Sequence, residues 1–180
     1  MIAGQWRGRR FSFAKNPAIR PTPDRVKETV FNWLQSVVVG ARCADLFAGS
    51  GALGFEALSR GAASVQFVEY DRATVQTIAG LISDLDIQDV ATAQQSDAWC
   101  WQAAEPLDLI FADPPFSDER VEGWLQVVAE RQMLVGGGYL YLEQPSDRPL
   151  PPLPRCFSLW KEKTAGQVSY RVLQFNNHGG

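Results

Sequence analysis

An α/β domain with a mostly parallel, seven-stranded sheet closing in an antiparallel hairpin is predicted by three observations. Between residues 43 and 143 short apolar runs alternate with helix-periodic segments, the pattern of repeated βα units whose helices cover both sheet faces. A glycine turn, Gly49-Ser50-Gly51-Ala52-Leu53-Gly54, separates the first run from the helix after it. The last two runs, residues 156–163 and 167–175, are joined only by Thr164-Ala165-Gly166, which is a hairpin signal. The 180 residues match one ordinary domain.

In chain order, Arg20-Pro21-Thr22-Pro23 reads as a helix start, with Thr22 as N-cap and Pro23 at the first helical position. Val26, Val30, Trp33, Leu34 and Val37 recur at three- and four-residue steps, so this helix is expected to run to about residue 36 with one buried stripe. Residues 43–48 form a strand, 52–60 a helix stopped by Gly61, and 64–69 a second strand, which completes a β-α-β unit. A helix over 72–85, a weaker strand over 90–94, a short helix from Asp97 and a strand over 107–112 continue the alternation. Residues 117–131 read as a helix, Gly136-Gly137-Gly138 precedes a strand over 139–143, and a Pro-rich link over 145–154 leads into the hairpin.

Charge location says more than charge total, which is −3. Before Glu28 the chain carries Arg7, Arg9, Arg10, Lys15, Arg20, Arg25 and Lys27 against the single acid Asp24. With Trp6, Phe11 and Phe13 among them, these residues suit phosphate contact plus base stacking, or else form a solvated arm. Residues 1–21 are therefore read as a basic extension and 22–180 as the main domain. A content of 46% hydrophobic residues argues against disorder. Cys43, Cys100 and Cys156 are odd in number and lack C-x-x-C spacing, so neither a disulfide framework nor a zinc site is expected and a reducing cytosol fits best. His178, the one histidine, lies in a polar tail, which removes mechanisms built on a histidine base or ligand. No run approaches the ~20 apolar residues that cross a bilayer.

Two motifs carry chemistry. Asp113-Pro114-Pro115-Phe116 follows the apolar run Leu107-Asp108-Leu109-Ile110-Phe111-Ala112, so a carboxylate and a stiff turn sit at the end of a buried strand. A conjugated amine is a poor nucleophile because its lone pair is delocalised. Two acceptors at its hydrogens, Asp113 and the Pro114 carbonyl, favour the localised form, and Phe116 offers a face for stacking a base. The bland alternative is a Pro-rich turn whose Asp caps a helix. The glycine turn matches G-x-G-x-x-G, and Glu69 falls about 20 residues on, where an acid holds a ribose hydroxyl. A dinucleotide and S-adenosyl-L-methionine (SAM) both fit that spacing. SAM is favoured because Asp45 can meet a cationic methionine end where a pyrophosphate would be repelled. Asp97 is placed to accept from an adenine amine. The first and fourth strands are neighbours at the switch point of a doubly wound sheet, which would bring the two motifs together.

On these residues the chain resembles the Rossmann-like class I SAM-dependent methyltransferases. It is more closely similar to the bacterial 16S rRNA (guanine(966)-N(2))-methyltransferase family. The likeness is carried by Gly4-Gln5-Trp6-Arg7-Gly8-Arg9, residues 20–29, 45–54 and 113–116, and Ala165-Gly166-Gln167-Val168-Ser169-Tyr170-Arg171, of which the first and last are the specific ones; Ala3 stands where a second glycine beside Gly4 is expected. The resemblance implies a cytosolic enzyme, with a monomer expected, that methylates guanine N2 in 16S rRNA within the small ribosomal subunit and needs neither metal nor membrane. It implies that Asp113, Pro114, Pro115 and Phe116 hold the target base. Asp45, Phe47, Ala48, Gly49, Ser50, Gly51, Gly54, Glu69, Tyr70, Asp97, Ala98 and Asp113 would surround the cofactor, and Arg7, Arg9, Arg10, Arg20 and Arg25 would contact RNA. Competing readings are an amino-methyltransferase acting on DNA adenine or cytosine or on protein glutamine, an NAD-dependent oxidoreductase, and a non-catalytic RNA-binding module.

Overall fold

The computed structural model describes residues 1–8 and 23–176. Its seven strands are β1 (Arg42–Leu46), β2 (Ser64–Glu69), β3 (Ala91–Gln95), β4 (Leu107–Ala112), β5 (Leu134–Pro145), β6 (Phe157–Ala165) and β7 (Val168–Phe175), and the helices are α1 (Asp24–Trp33), α2 (Gln35–Val38), α3 (Ala52–Ser59), α4 (Arg72–Asp84) and α5 (Val121–Glu130). They form one sheet in the order β3-β2-β1-β4-β5-β7-β6. The first five strands are parallel, and β7 enters antiparallel between β5 and β6.

Alternation along the buried strands divides the core in two. Cys43, Val65, Phe67, Leu109, Phe111 and Tyr141 face Val30, Phe31, Phe55, Leu58, Ile78 and Ile82 of α1, α3 and α4. Their neighbours Ala44, Leu46, Val68, Ile110, Leu140 and Leu142 face Trp124, Leu125 and Val128 of α5, together with Trp99 and Trp101. Strands apolar on both faces are what a parallel sheet covered on both sides demands.

Several boundaries differ from expectation. Pro23 has ψ 141° and is the N-cap, its carbonyl accepting from the Val26 and Lys27 N–H groups, so the helix begins at Asp24. The expected continuous helix breaks at Leu34 and resumes as α2. No helix forms at Asp97. The Asp97 carbonyl accepts from Cys100 and Trp101 in a single turn, after which the chain extends and buries Trp99, Trp101 and Ala103. Burial of two indoles outweighs local helix propensity there. Residues 117–120 are turn and irregular chain ahead of α5 instead of its first residues. The three glycines lie inside β5, where Gly137 has φ +83° and the β4–β5 register shifts between Leu107 and Leu109.

The N-terminal segment 1–8 is bound to α3. The Ile2 and Ala3 N–H groups donate to the buried Glu56 carboxylate (2.8 and 3.1 Å), which also pairs with Arg60 (2.8 Å). Gln5 N–H donates to the Ser59 carbonyl (2.8 Å) and Trp6 N–H to Ser59 Oγ (3.0 Å). A Cβ on Gly4, at φ +81°, would lie 1.7 Å from the Ser59 oxygen, so this turn requires glycine at residue 4 and accepts Ala3 beside it. Thr22, Arg9, Arg10, Arg20 and His178 lie outside the described residues.

Candidate active site

The site lies on the carboxyl edge of β1, β2, β3 and β4, where strand order reverses between β1 and β4. The register pairs Leu46 with Ala112, so the chain leaves β1 into the glycine turn beside the point where β4 delivers Asp113. Adjacent strands are ~4.8 Å apart. The two motifs read from sequence are therefore neighbours.

Phe47 (φ +61°), Gly49 (+52°) and Gly51 (+70°) bend the chain sharply, and Gly51 caps α3. Two carboxylates hold this turn. Gly54 N–H donates to Asp45 Oδ2 (2.8 Å), and Gly49 N–H to Glu69 Oε2 (2.9 Å). Glu69 Oε1 also accepts from Tyr70 N–H (2.8 Å) and Asp71 N–H (3.0 Å). Three bonds on a carboxylate with about four lone-pair sites leave room for one further donor. Tyr70 next to it is 76% exposed, a free aromatic face. Asp97 accepts from Trp99 N–H through Oδ1 (3.1 Å), while its Oδ2 lies 3.9 Å from Arg120 Nη1. An acid with one acceptor site open, an exposed ring and a partly exposed acceptor along one edge fit a ligand carrying ribose and adenine.

Asp45 differs from expectation. It lies beneath the turn, 2% exposed, and spends one oxygen on Gly54. Burial raises its pKa from 3.8 to about 8, against the Gly54 bond and with a smaller push from Glu69. Because the folded-state value lies above the unfolded one, the folded protein binds this proton more tightly. The stabilisation this gives is complete below about pH 4 and is lost as pH rises to about 8. Asp45→Asn keeps an acceptor for Gly54 but cannot ionise, so the variant should gain on the wild type across that window, at up to about 1.4 kcal/mol per pH unit. Urea unfolding at pH 5, 6, 7 and 8 measures this. A pH-independent difference would mean that Asp45 does not hold the proton.

At the Asp113–Phe116 turn Pro114 is buried, Pro115 exposed, and Asp113 and Phe116 part-buried. The Asp118 N–H donates to the Pro115 carbonyl (2.9 Å), folding the segment after the di-proline back on it. Two features were missed in the sequence. Glu143, 3% exposed, follows the Ala112–Leu142 pairing and so lies beside Asp113; Tyr141 Oη donates to its Oε1 (2.5 Å). Burial first, then Glu143, and further down Asp113, drive the Tyr141 pKa well above 10.0. An acid ending an otherwise apolar parallel strand was the available signal. The second is Arg120, whose guanidinium lies 4.8 Å from the Trp99 ring centroid and forks onto Asp118 (2.6–3.2 Å). Of the expected RNA-contacting residues within the described range, Arg7 and Arg25 are both exposed. Cys43, Cys100 and Cys156 are free thiols. Among the described residues no cluster of His, Cys, Asp and Glu could hold a metal ion, and no helix is long and apolar enough to cross a membrane.

Fold and site together define a class I methyltransferase architecture. The antiparallel β7 between β5 and β6 separates the sheet from the 3-2-1-4-5-6 dinucleotide order and argues against the oxidoreductase reading. The chain belongs to the family described as Conserved hypothetical protein 95, whose model matches residues 1–174. It is 41% identical over 181 residues to Ribosomal RNA small subunit methyltransferase D of Escherichia coli K12, covering 99% of this chain and 91% of that one. It is 39% identical over 179 residues to the protein of the same description from Haemophilus influenzae, covering 97% and 92%. The solved structure of Escherichia coli yhhF superposes with a TM-score of 0.88 at 39% identity, covering 98% of this chain and 97% of that one. An RNA methyltransferase from Salinibacter ruber, solved with S-adenosyl-L-homocysteine, shares the fold at 15% identity with a TM-score of 0.69, covering 88% and 95%.

Proposed function

We propose that this protein is a SAM-dependent rRNA methyltransferase that acts on the exocyclic N2 of a guanine in 16S rRNA, as a cytosolic monomer working on the small ribosomal subunit. The observation that carries this is the Asp113 turn seated beside the glycine turn on the neighbouring strands β4 and β1. SAM supplies an electrophilic methyl group. Glu69, Tyr70 and Asp97 would hold its nucleoside end. Asp113 and the Pro114 carbonyl accept hydrogen bonds from the two amine N–H groups and localise the N2 lone pair, Asp113 stands where the one proton that N2 sheds on methylation can pass, and Phe116 stacks on the base. No covalent nucleophile is required, since proximity and orientation carry the reaction. The relatives named for rRNA methylation across nearly the whole chain support guanine in 16S rRNA over DNA or protein amines.

Incubating the protein with methyl-labelled SAM and small subunits lacking their modifications, then mapping labelled nucleosides by mass spectrometry, should give N2-methylguanosine at one 16S position. Label in DNA or protein and none in rRNA would overturn the substrate. In the same assay, alanine at Arg7 and Arg25 should raise KM for RNA through lost phosphate contacts and leave kcat unchanged.

A further inference from the structure

The C-terminal segment Ala165-Gly166-Gln167-Val168-Ser169-Tyr170-Arg171 ends in an arginine that touches neither motif yet is only 4% exposed. A buried guanidinium is costly unless its donors are matched. Arg171 Nε donates to Glu162 Oε1 (2.6 Å), Nη1 to Gln144 Oε1 (3.0 Å) and Nη2 to the Arg148 carbonyl (3.4 Å). These acceptors come from β6, the end of β5, and the turn after it. Arg148 then reaches on, its Nη1 donating to the Asp118 carbonyl (2.7 Å). The Asp118 N–H is the group bonded to Pro115. The Ser146 N–H, donating to the Gln167 carbonyl (2.9 Å), holds the same turn to the hairpin. A continuous chain of hydrogen bonds therefore runs from the hairpin to the turn that presents the target-base acceptors.

We infer that Arg148 and Arg171 are positioning residues that brace the Asp113–Phe116 turn from behind through Asp118. This rests on the methyltransferase reading above. A di-proline turn is stiff within itself, but its direction relative to the cofactor edge is set by what holds its far end. Asp118, two residues beyond Phe116, is that end. Arg148 contributes one directed bond, which a lysine can also make. Arg171 contributes a planar fork to three acceptors, which a lysine cannot. This explains why a family-specific segment lies on an antiparallel pair away from the methyl-transfer edge.

The test uses the full-length protein carrying Arg148→Ala, Arg148→Lys or Arg171→Lys. It reads kcat and KM for ribosomal substrate, SAM affinity, and hydrogen exchange of the Asp118 amide. Arg148→Ala should lower kcat by about 10- to 100-fold, the scale of a misplacement near 1 Å. KM and SAM affinity should stay within about twofold, and the Asp118 amide should exchange faster. Arg148→Lys should recover most of the rate and Arg171→Lys should not. Unchanged kcat and exchange in Arg148→Ala, a change confined to KM, or failure of lysine at residue 148 to restore the rate would each overturn the brace. The exchange measurement needs no substrate, so it separates failure of the brace from failure of the rRNA assignment, which would appear as an inactive wild type. Because Arg148 is only part-buried, its variants keep the test valid even if Arg171→Lys does not fold.

Discussion

Asp113→Ala is expected to lower methyl transfer to ribosomal substrate by about 10²–10⁴-fold, the range that a positioned proton acceptor contributes, while SAM affinity stays within a few-fold. Asp113 lies one residue beyond β4 and is part-buried, so the loss falls on chemistry and not on the core. The groups proposed to hold SAM, Glu69, Tyr70 and Asp97, lie at or just beyond the β2 and β3 ends and are untouched. Asp113→Asn separates two roles for the same side chain. An amide oxygen still accepts one amine hydrogen, so a variant within about tenfold of wild type means that hydrogen bonding suffices. A loss equal to that of alanine means that the carboxylate charge is required. Single-turnover rates at saturating SAM measure this directly. Near-normal turnover by Asp113→Ala would remove Asp113 from the reaction.

The central parallel strands β1 and β4 were legible because they carry buried apolar residues on both faces, whereas the edge strand β3 is largely polar. The expected strands at 64–69 and 107–112 coincide with β2 and β4. The turn at Gly49 was legible because the residues that bend it need positive φ, although Phe47 adopts φ +61° without being a glycine. What local pattern could not carry was decided by tertiary contacts. Asp45 reads as a ligand contact because it ends a strand, yet Gly54 folds over and buries it. The run after Asp97 has helical spacing, but Trp99 and Trp101 turn it toward Trp124 and Ile110. Glu143 looks like the polar end of a strand until β4 places Asp113 beside it. In each case the signal lies in which helix or strand packs alongside, and sequence periodicity says nothing about that.

Gly54→Ala should be the most damaging change at the glycine turn, and for a reason unrelated to ligand contact. Mid-helix, alanine is worth up to about 1 kcal/mol over glycine. At Gly54, however, the new Cβ would lie 2.3 Å from Phe67 Cε1, 2.8 Å from Cζ and 2.9 Å from Val65 Cγ1. Phe67 cannot yield easily, being 1% exposed and packed on Phe55 with ring centroids 4.7 Å apart. Helix α3 must then lift off β2, drawing the Gly54 N–H from Asp45 and tilting the Gly51 cap. Overpacking of this kind costs about 1–3 kcal/mol or more. For a chain of this size each kcal/mol is about 2–4 °C in Tm. Gly80→Ala supplies the contrast, because that position is an exposed glycine inside α4 with nothing within 4 Å of its Cβ, and it should raise Tm slightly. Thermal melts of both variants, with and without SAM, decide the matter. If Gly54→Ala melts as high as wild type, the close helix–strand contact is not what fixes this residue. If it melts low but SAM still raises its Tm as much as in wild type, the third glycine of the motif serves packing alone, and the cofactor is recognised by the turn at Gly49 and by Glu69.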